Sequence, residues 1–451
     1  MNFSKFLNFK SILLGVAVFA TIIAVLAFSG KIPIFNSGAK QKLTGVARIW
    51  GTIPSNSMSD FVAAFNKEAK TYSIEYTEVP YKDFNQRLTN ALADGYAPDL
   101  ILAPIDITFA NSNRLLPVSP QTIPETNFRN TFADAASILI EMPAGYLGLP
   151  ISVDPLVLYY NRDILSSNGI FEPPKTWGEL YSYEDKITKT TNGNLLMSTI
   201  AFGTYDNIPH ISDIILAMIF QQGQIPITKT YAPDSLGNYF PKYFVEVDEP
   251  NPTTGISPLN SALAFTKDFA DTQKTTYNWS PRSGDALSQF ISGNLALYIG
   301  FASEAGYIKS ANQKLYFDYT YLPQVEGSQT SATYANLYTI SMLKTTPNIN
   351  LAYPVMLDLA MGQWSSYLAG VSGGSSALKV NIAQNISSGD QGAEIFGRSV
   401  LISKTFYDLH RESLELLMRE AIRQVYNGEK STVEASAAFS SDLQAVYDGQ
   451  N

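Results

Sequence analysis

The 451-residue chain contains no cysteine, which removes disulfides, thiolate nucleophiles and zinc–thiolate sites together. Histidine is almost absent: His210 and His410 are the only two, far apart in sequence, so a multi-histidine metal site is excluded and no cofactor is expected. Charged residues make up only 16% of the chain, with a net charge of −9, and no basic run exceeds a few residues. Phosphate recognition needs a clustered cationic face, so a nucleic-acid partner is excluded as well. Internal repeats, low-complexity tracts, a Walker loop and a dinucleotide fingerprint are all missing. What is present is apolar bulk, including 26 tyrosines and 25 phenylalanines. At this length one core is not expected to suffice, and two lobes are.

Lys5 and Lys10 precede an uncharged apolar run, Ser11 to Ser29. A helix of ~20 residues spans a bilayer core, and the lysines would stay cytoplasmic. The alternative is a cleaved signal peptide with Val25-Leu26-Ala27 as its cleavage site. The run is long for a signal sequence, which favours an uncleaved signal anchor; either way the remainder is exported. Residues 31–42, with Gly, Ser, Gln and Lys, read as a stalk.

Beyond the stalk, strands alternate with helices. Val46–Trp50 is a short apolar strand, and Phe61, Phe65 and Ala69 stripe a helix. Ser73–Val79 alternates as a second strand, Phe84, Leu88 and Leu92 stripe a second helix, and Leu100–Ala103 is a third strand. This rhythm implies a mostly parallel sheet covered by helices. Ligands of such sheets bind at the carboxyl ends of the strands, which here carry Trp50-Gly51, Pro80-Tyr81 and Pro104-Ile105-Asp106. Trp50 and Tyr81 are therefore candidate stacking platforms, with edge packing as the plainer reading of each.

Residues Gly145 to Leu180 read as an extended crossing (Leu147–Val153), a buried strand (Leu156–Tyr160) and a short helix opened by Asn-Arg-Asp. Pro173 and Pro174 then precede a second helix, predicted from Trp177 with Thr176 as its cap. Asp154 sits where the crossing meets the strand.

This arrangement resembles the inter-lobe crossover of the extracellular solute-binding proteins of ABC importers, in the carbohydrate branch that includes maltose-binding protein. Ala97-Pro98-Asp99-Leu100-Ile101 with Asn113-Arg114-Leu115-Leu116-Pro117 resembles that family's third strand and following helix. Phe290–Tyr298 resembles its F-x-x-G-x-x-A-M element, with Leu297 in place of Met. Tyr338–Ser341 followed by Asn350–Met361 resembles its second crossover. The C-terminal helix Arg411–Tyr426 and the Ser431–Glu434 capping box complete a series that runs in family order from about Leu43 to Val446.

The resemblance implies an α/β, two-lobed periplasmic-binding-protein fold of type II-like organisation, with discontinuous lobes joined by a hinge. The first lobe would be residues 43–152 and 342–396, and the second 153–341 and 397–451. It implies a carbohydrate solute, closure of the hinge on that solute, and permease subunits as partners. Gln224–Pro258 reads as a surface excursion of the second lobe. By position, Asp154 and Asp106 match cleft acids, Phe301 lies where a stacking tryptophan is common, and Phe406 and Tyr407 fall near a further aromatic position. Tyr205 and Asp206 lie in a loop that often faces the cleft. Core packing explains Phe406 and Tyr407 equally well, and helix capping is the plainer reading of Asp106. Ala103 and Ile107 replace an aromatic and a basic contact of the maltodextrin subgroup, which leaves the cargo open. Trp177 reads as structural.

Two other roles fit parts of the sequence. A sensory or chemotactic module would use the same cleft with a signalling partner. A surface polysaccharide-processing enzyme would need a reactive group. Gly370-Val371-Ser372-Gly373-Gly374 matches the nucleophile pattern, with Asp390 and His410 following, but it needs a strand before the serine, and Tyr353–Ala369 reads as helix. The chain is therefore expected to bind rather than to catalyse.

Overall fold

The computed structural model describes residues 43–68, 71–141, 143–191, 194–233, 239–251 and 255–449. The chain divides into two compact units, each assembled from two stretches: Met1–Val153 with Leu337–Asp390, and Asp154–Asn336 with Gln391–Asn451. Two of these junctions fall five or six residues from the sequence-based ones. Leu337–Ser341 goes with the first unit because Tyr338–Met342 pairs with the Leu100–Pro104 strand. Gln391–Phe396 goes with the second, where the Phe396 ring stacks on Tyr319 at 4.5 Å.

In the first unit Gly45–Gly51 runs parallel between Tyr72–Glu78 and Leu100–Pro104. The Thr333–Leu343 strand joins antiparallel to Leu100–Pro104, with Ile340 opposite Leu102. The apolar run Leu100–Ala103 is buried on both faces, as expected of a strand covered by helices. The Ser55–Glu68 helix buries Met58, Phe61 and Phe65, each contributing roughly 1.5–3 kcal/mol by transfer from water. Trp364 packs against Phe61 and Phe65 with ring centroids 5.8 and 5.4 Å away. Ala103 and Ile107 are both buried. Asp99 is a fully buried carboxylate, and it is satisfied by the backbone N–H of Arg48 at 2.9 Å and the Thr346 hydroxyl at 2.6 Å. Without such partners its burial would cost several kcal/mol.

The second unit has its own set of strand pairings. Leu295–Phe301 lies parallel to Asn194–Ile200 and antiparallel to Leu156–Tyr160, and Phe317–Tyr321 pairs with the other edge of that segment. The crossing and the buried strand expected separately are one continuous strand, Leu149–Asn161. Gly148, just before it, is obligatory: a β-carbon there would collide with the Ser341 side chain and the Ile340 carbonyl. Asn161 ends the strand and caps the Arg162–Ser167 helix by accepting from the Ile164 N–H at 3.0 Å.

The next helix begins at Glu179, not at Trp177, and has no side-chain cap. Thr176 instead pairs with Gln324 in a β-bridge, the Trp177 N–H donates to the Gln324 carbonyl at 3.1 Å, and the Trp177 carbonyl accepts from Leu180 in a turn that precedes the helix. The Trp177 indole is buried and donates to Gln221 Oε1 at 2.6 Å, which fits its structural reading. Every residue of the Ile211–Gln221 helix is buried, the pattern of a helix surrounded by protein.

The excursion expected over Gln224–Pro258 contains an antiparallel hairpin, Ile227–Pro233 with Tyr239–Val245. The C-terminal pair, Arg411–Tyr426 and Thr432–Asp448, carries the reciprocal Ser431–Glu434 capping box. Among the described residues no helix is long and apolar enough to cross a membrane. The proposed anchor at Ser11–Ser29 and the stalk lie outside those residues.

Candidate functional site

In the first unit the parallel strands end where the sequence places candidate residues. Trp50 is half-buried, one residue before Gly51, and its strand neighbours are Thr77 and Ile101. Tyr81, exposed on the short turn after Tyr72–Glu78, donates its hydroxyl to Asp106. Asp106 lies in the first turn of Ile105–Ala110, whose N-cap makes no side-chain bond. The carboxylate is thus turned to a tyrosine rather than to capping its helix. Nearby hydroxyls are engaged too, with Thr52 and Tyr338 hydrogen-bonded at 2.9 Å.

The second unit gathers far more charge. Asp154 accepts from the Ser303 backbone N–H at 3.0 Å. Its carboxyl is half-buried and densely surrounded. Burial pushes its pKa up to about 7; bonds from Ser303 and the charge of His210 oppose the rise, and Glu304 adds to it. His210 Nε2 pairs with the Glu304 carboxylate at 2.5 Å, its ring faces Asp213 at 3.8 Å, and it stands edge-on to Phe301 at 4.7 Å. Burial works against charge on His210, but Glu304, Asp213 and Asp154 more than offset it and hold its pKa above the ordinary value. His210 also holds φ at 61°, a left-handed backbone that a non-glycine residue keeps only when its surroundings fix it. Glu304 further accepts from the Tyr298 hydroxyl at 2.7 Å, and Gly300 leaves the room for that approach, since a β-carbon would meet both side chains.

From His210 the network runs on through Asp213 to Arg411, which contacts Asp213 and Glu415 at 2.5 Å each and Asp408 at 3.2 Å. Glu415 accepts from Ser212 at 2.7 Å and from the Tyr205 hydroxyl. Arg419 pairs with Asp206 at 2.7 Å and lies 5.2 Å above the Tyr205 ring. Of these groups Tyr205, His210, Asp213, Arg411, Glu415 and Arg419 line an open pocket of about 310 Å³, with Asp206 and Asp285 also in its wall. Small-molecule sites begin at about this size.

Asp154, Tyr205, Asp206 and Phe301 therefore belong to one connected neighbourhood, although Phe301 is itself buried and acts there through His210. Phe406 is a correction: it is fully enclosed in the core beside Tyr334, with no face open to a solute. Tyr407 packs elsewhere, its ring 5.9 Å from Tyr243 of the hairpin and its carbonyl accepting from Tyr447. Sequence reasoning missed His210, Asp285, Glu304, Arg411, Glu415 and Arg419. For three of them a signal existed: Arg411, Glu415 and Arg419 recur every four residues along one helix face.

The serine of the nucleophile pattern lacks its required setting. Ser372 ends the Ser365–Val371 helix and shares a 2.6 Å hydrogen bond with Ser152. No group of three or more metal-ligating side chains converges among the described residues.

The family model for bacterial extracellular solute-binding proteins matches residues 51–353. The chain belongs to that family. The galactooligosaccharide-binding protein of Bacillus subtilis (strain 168) is 31% identical over 133 residues, 29% of this chain and 30% of that protein. The matched segment thus spans less than a third of that relative's length. Among solved structures, the sugar-binding protein MalE of Xanthomonas citri is similar with a TM-score of 0.71 at 17% identity, over 90% of this chain and 98% of that one. A cyclo/maltodextrin-binding protein complexed with maltotetraose is similar with a TM-score of 0.66 at 15% identity, over 91% and 98%. At such identities the likeness establishes the two-lobed α/β fold of these solute-binding proteins, and membership in the family places the protein outside the cytoplasm.

Proposed function

We propose that this protein is the solute receptor of an ABC importer, that its solute is a sugar or oligosaccharide, and that closure of its hinge on the solute precedes delivery to the permease. The observation that carries the reading is the second unit's pocket, which offers carboxylates, a guanidinium and a tyrosine ring rather than an apolar wall. Carboxylates and guanidinium groups bind hydroxyl pairs, and an aromatic ring suits the apolar face of a pyranose. Of the first unit, Trp50, Tyr81 and Asp106 are the residues we propose as solute contacts. The names of the relatives above, which bind galactooligosaccharide and maltotetraose, support the sugar class. The reading is of binding rather than catalysis, because Ser372 ends a helix with no strand before it.

We further propose that Ser11–Ser29 tethers the protein to the outer face of the membrane. A tether raises the effective concentration of the receptor at its permease.

Calorimetric titration of the full-length protein with an oligosaccharide panel tests the main reading, and at least one sugar should bind with loss of the signal in Asp154→Ala. Binding of a peptide with no response to any sugar would overturn the solute class. Retention in the membrane pellet after an alkaline wash tests the tether; release into the supernatant would refute it.

A further inference from the structure

Three elements of the second unit converge on one small set of side chains. Asp154 comes from the Leu149–Asn161 strand, His210 from the head of the Ile211–Gln221 helix, and Glu304 from the Ala302–Glu304 turn. Glu304 is engaged at both oxygens: Oε1 faces His210 Nε2 at 2.5 Å, and Oε2 accepts from the Tyr298 hydroxyl at 2.7 Å. The residue before it, Ser303, gives its backbone N–H to Asp154 at 3.0 Å. One carboxylate, fixed from two sides, thus steadies the backbone that holds another. His210 is the outlier of the set. Among the described residues it is the only one other than glycine with a positive φ. Such strain persists where the surroundings over-determine it, and it gathers at working sites. The fold keeps the imidazole against Glu304 despite that strain.

Resting on the solute-binding reading above, we propose that His210 is a positioning residue for the solute: through Glu304 it fixes the Ala302–Glu304 turn, and its positive charge favours the ionised form of Asp154 on the Ser303 N–H. The groups involved come from every element around the pair. Asp154 faces Ser303 and Glu304 of the turn, His210 at the helix head and Tyr159 on its own strand. His210 faces Glu304, Asp213 and Asp154, and Asp213 leads on to Arg411 and Glu415. Burial raises the Asp154 pKa and Glu304 adds to the rise, whereas Ser303 and the His210 charge oppose it. Burial also opposes a charge on His210, but Glu304, Asp213 and Asp154 outweigh it. The coupling is mutual, so whatever the imidazolium does for the Asp154 carboxylate, the carboxylate does for the imidazolium.

The test has two arms, both on the full-length protein. The first needs no solute. His210 and His410 are the only histidines, so NMR shows two ring titrations, and His210→Asn or His410→Gln tells them apart. Asp154→Asn keeps an acceptor for the Ser303 N–H and removes only the charge. It should lower the His210 midpoint by about half a unit or more, and an unchanged midpoint overturns the inference whether or not a sugar binds. The second arm is calorimetry between pH 6 and 9 with a sugar of the panel that binds. His210→Asn and His210→Gly both accept a left-handed backbone, so neither disturbs the turn by strain. In each, the midpoint of the rise in affinity with pH should move upward by about one unit, which is about tenfold in the hold of the proton on Asp154. Most of the lost affinity should return by pH 9. An equal loss at every pH, with the midpoint unmoved, would make His210 a direct solute contact and overturn the positioning role, as would an unchanged profile. If the His210 variants fail to fold, the Asp154→Asn titration decides. Failure of every sugar to bind removes the solute-binding reading and this role with it, even where the His210–Asp154 coupling is present.

Discussion

The strand ends of the first unit and the pocket of the second solve the same problem with opposite means. In the first unit a half-buried Trp50, the Tyr81–Asp106 bond and the Thr52–Tyr338 bond stand on a frame in which Ala103 and Ile107 are buried. In the second unit Glu304, His210, Asp213, Arg411 and Glu415 form an unbroken run of charged contacts, with Asp154 held beside it by the Ser303 backbone. One region offers surface, the other a fixed electrostatic field. The difference locates stability as well as recognition: the charged run holds its own helices in place, while the strand ends can be altered with little effect on the fold.

Four substitutions would break or sharpen that contrast. The largest effect is expected from Arg411→Ala, which leaves Asp213 and Asp408 buried without their cation and should cost about 3–5 kcal/mol of stability. Urea unfolding measures it, and a loss below 1 kcal/mol would mean that the network is ornamental. Asp154→Ala should weaken solute binding by about tenfold or more, the worth of a hydrogen bond to a charged group. In the unaltered protein the same carboxyl, with its pKa near 7, should make affinity rise as pH passes upward through that value, because the ionised form accepts charge-assisted hydrogen bonds that the neutral acid cannot match. Ser303, Glu304 and His210 are the groups that face it, and a flat profile between pH 6 and 8 would contradict its contact with solute.

Glu184 comes third. It is buried beside Asn278, and burial lifts its carboxyl from 4.5 to about 7 against bonds from Thr188, Thr199 and Asn278. Its folded pKa exceeds the unfolded one, so the stability it contributes is fully present below about 4.5 and is lost as pH rises to about 7. Glu184→Gln should flatten that slope in a pH series of thermal unfolding, and an unchanged slope would assign it to other groups. The smallest effect belongs to the strand ends: Tyr81→Phe removes one exposed hydrogen bond and should shift stability by under about 1 kcal/mol, measured in the same urea series as Arg411→Ala. A shift comparable to that of Arg411→Ala would erase the contrast between the two regions.

The fold was legible because its signals are local. Phe61 and Phe65 on one helix face, the apolar Leu100–Ala103 run and the Ser431–Glu434 capping box each declare an element from its own residues. The candidate site was legible only where a residue follows a recognisable strand, as Asp106 and Asp154 do. His210 and Glu304, or Asp213 and Arg411, are separated by 94 and 198 positions, and periodicity tells which face an element buries, not which other element meets it. Phe406 and Tyr407 show the limit at the finest scale: adjacent aromatics, one sealed in the core and the other beside a hairpin. That hairpin was itself hidden, since Pro233 and Pro241 interrupt the alternation that marks a strand.

Asp99 ties its carboxylate to Thr346, 247 positions later, and the first unit's sheet is completed only by the Thr333–Leu343 strand. The consequence concerns the order of synthesis. When residue 153 leaves the ribosome the first unit still lacks its antiparallel strand and the partner of a buried acid, so it cannot close until the Asp154–Asn336 stretch of the second unit has been made. Contacts so distant along the chain slow folding. In a protein that works outside the cytoplasm, such a delay would leave the first unit open for longer before it sets.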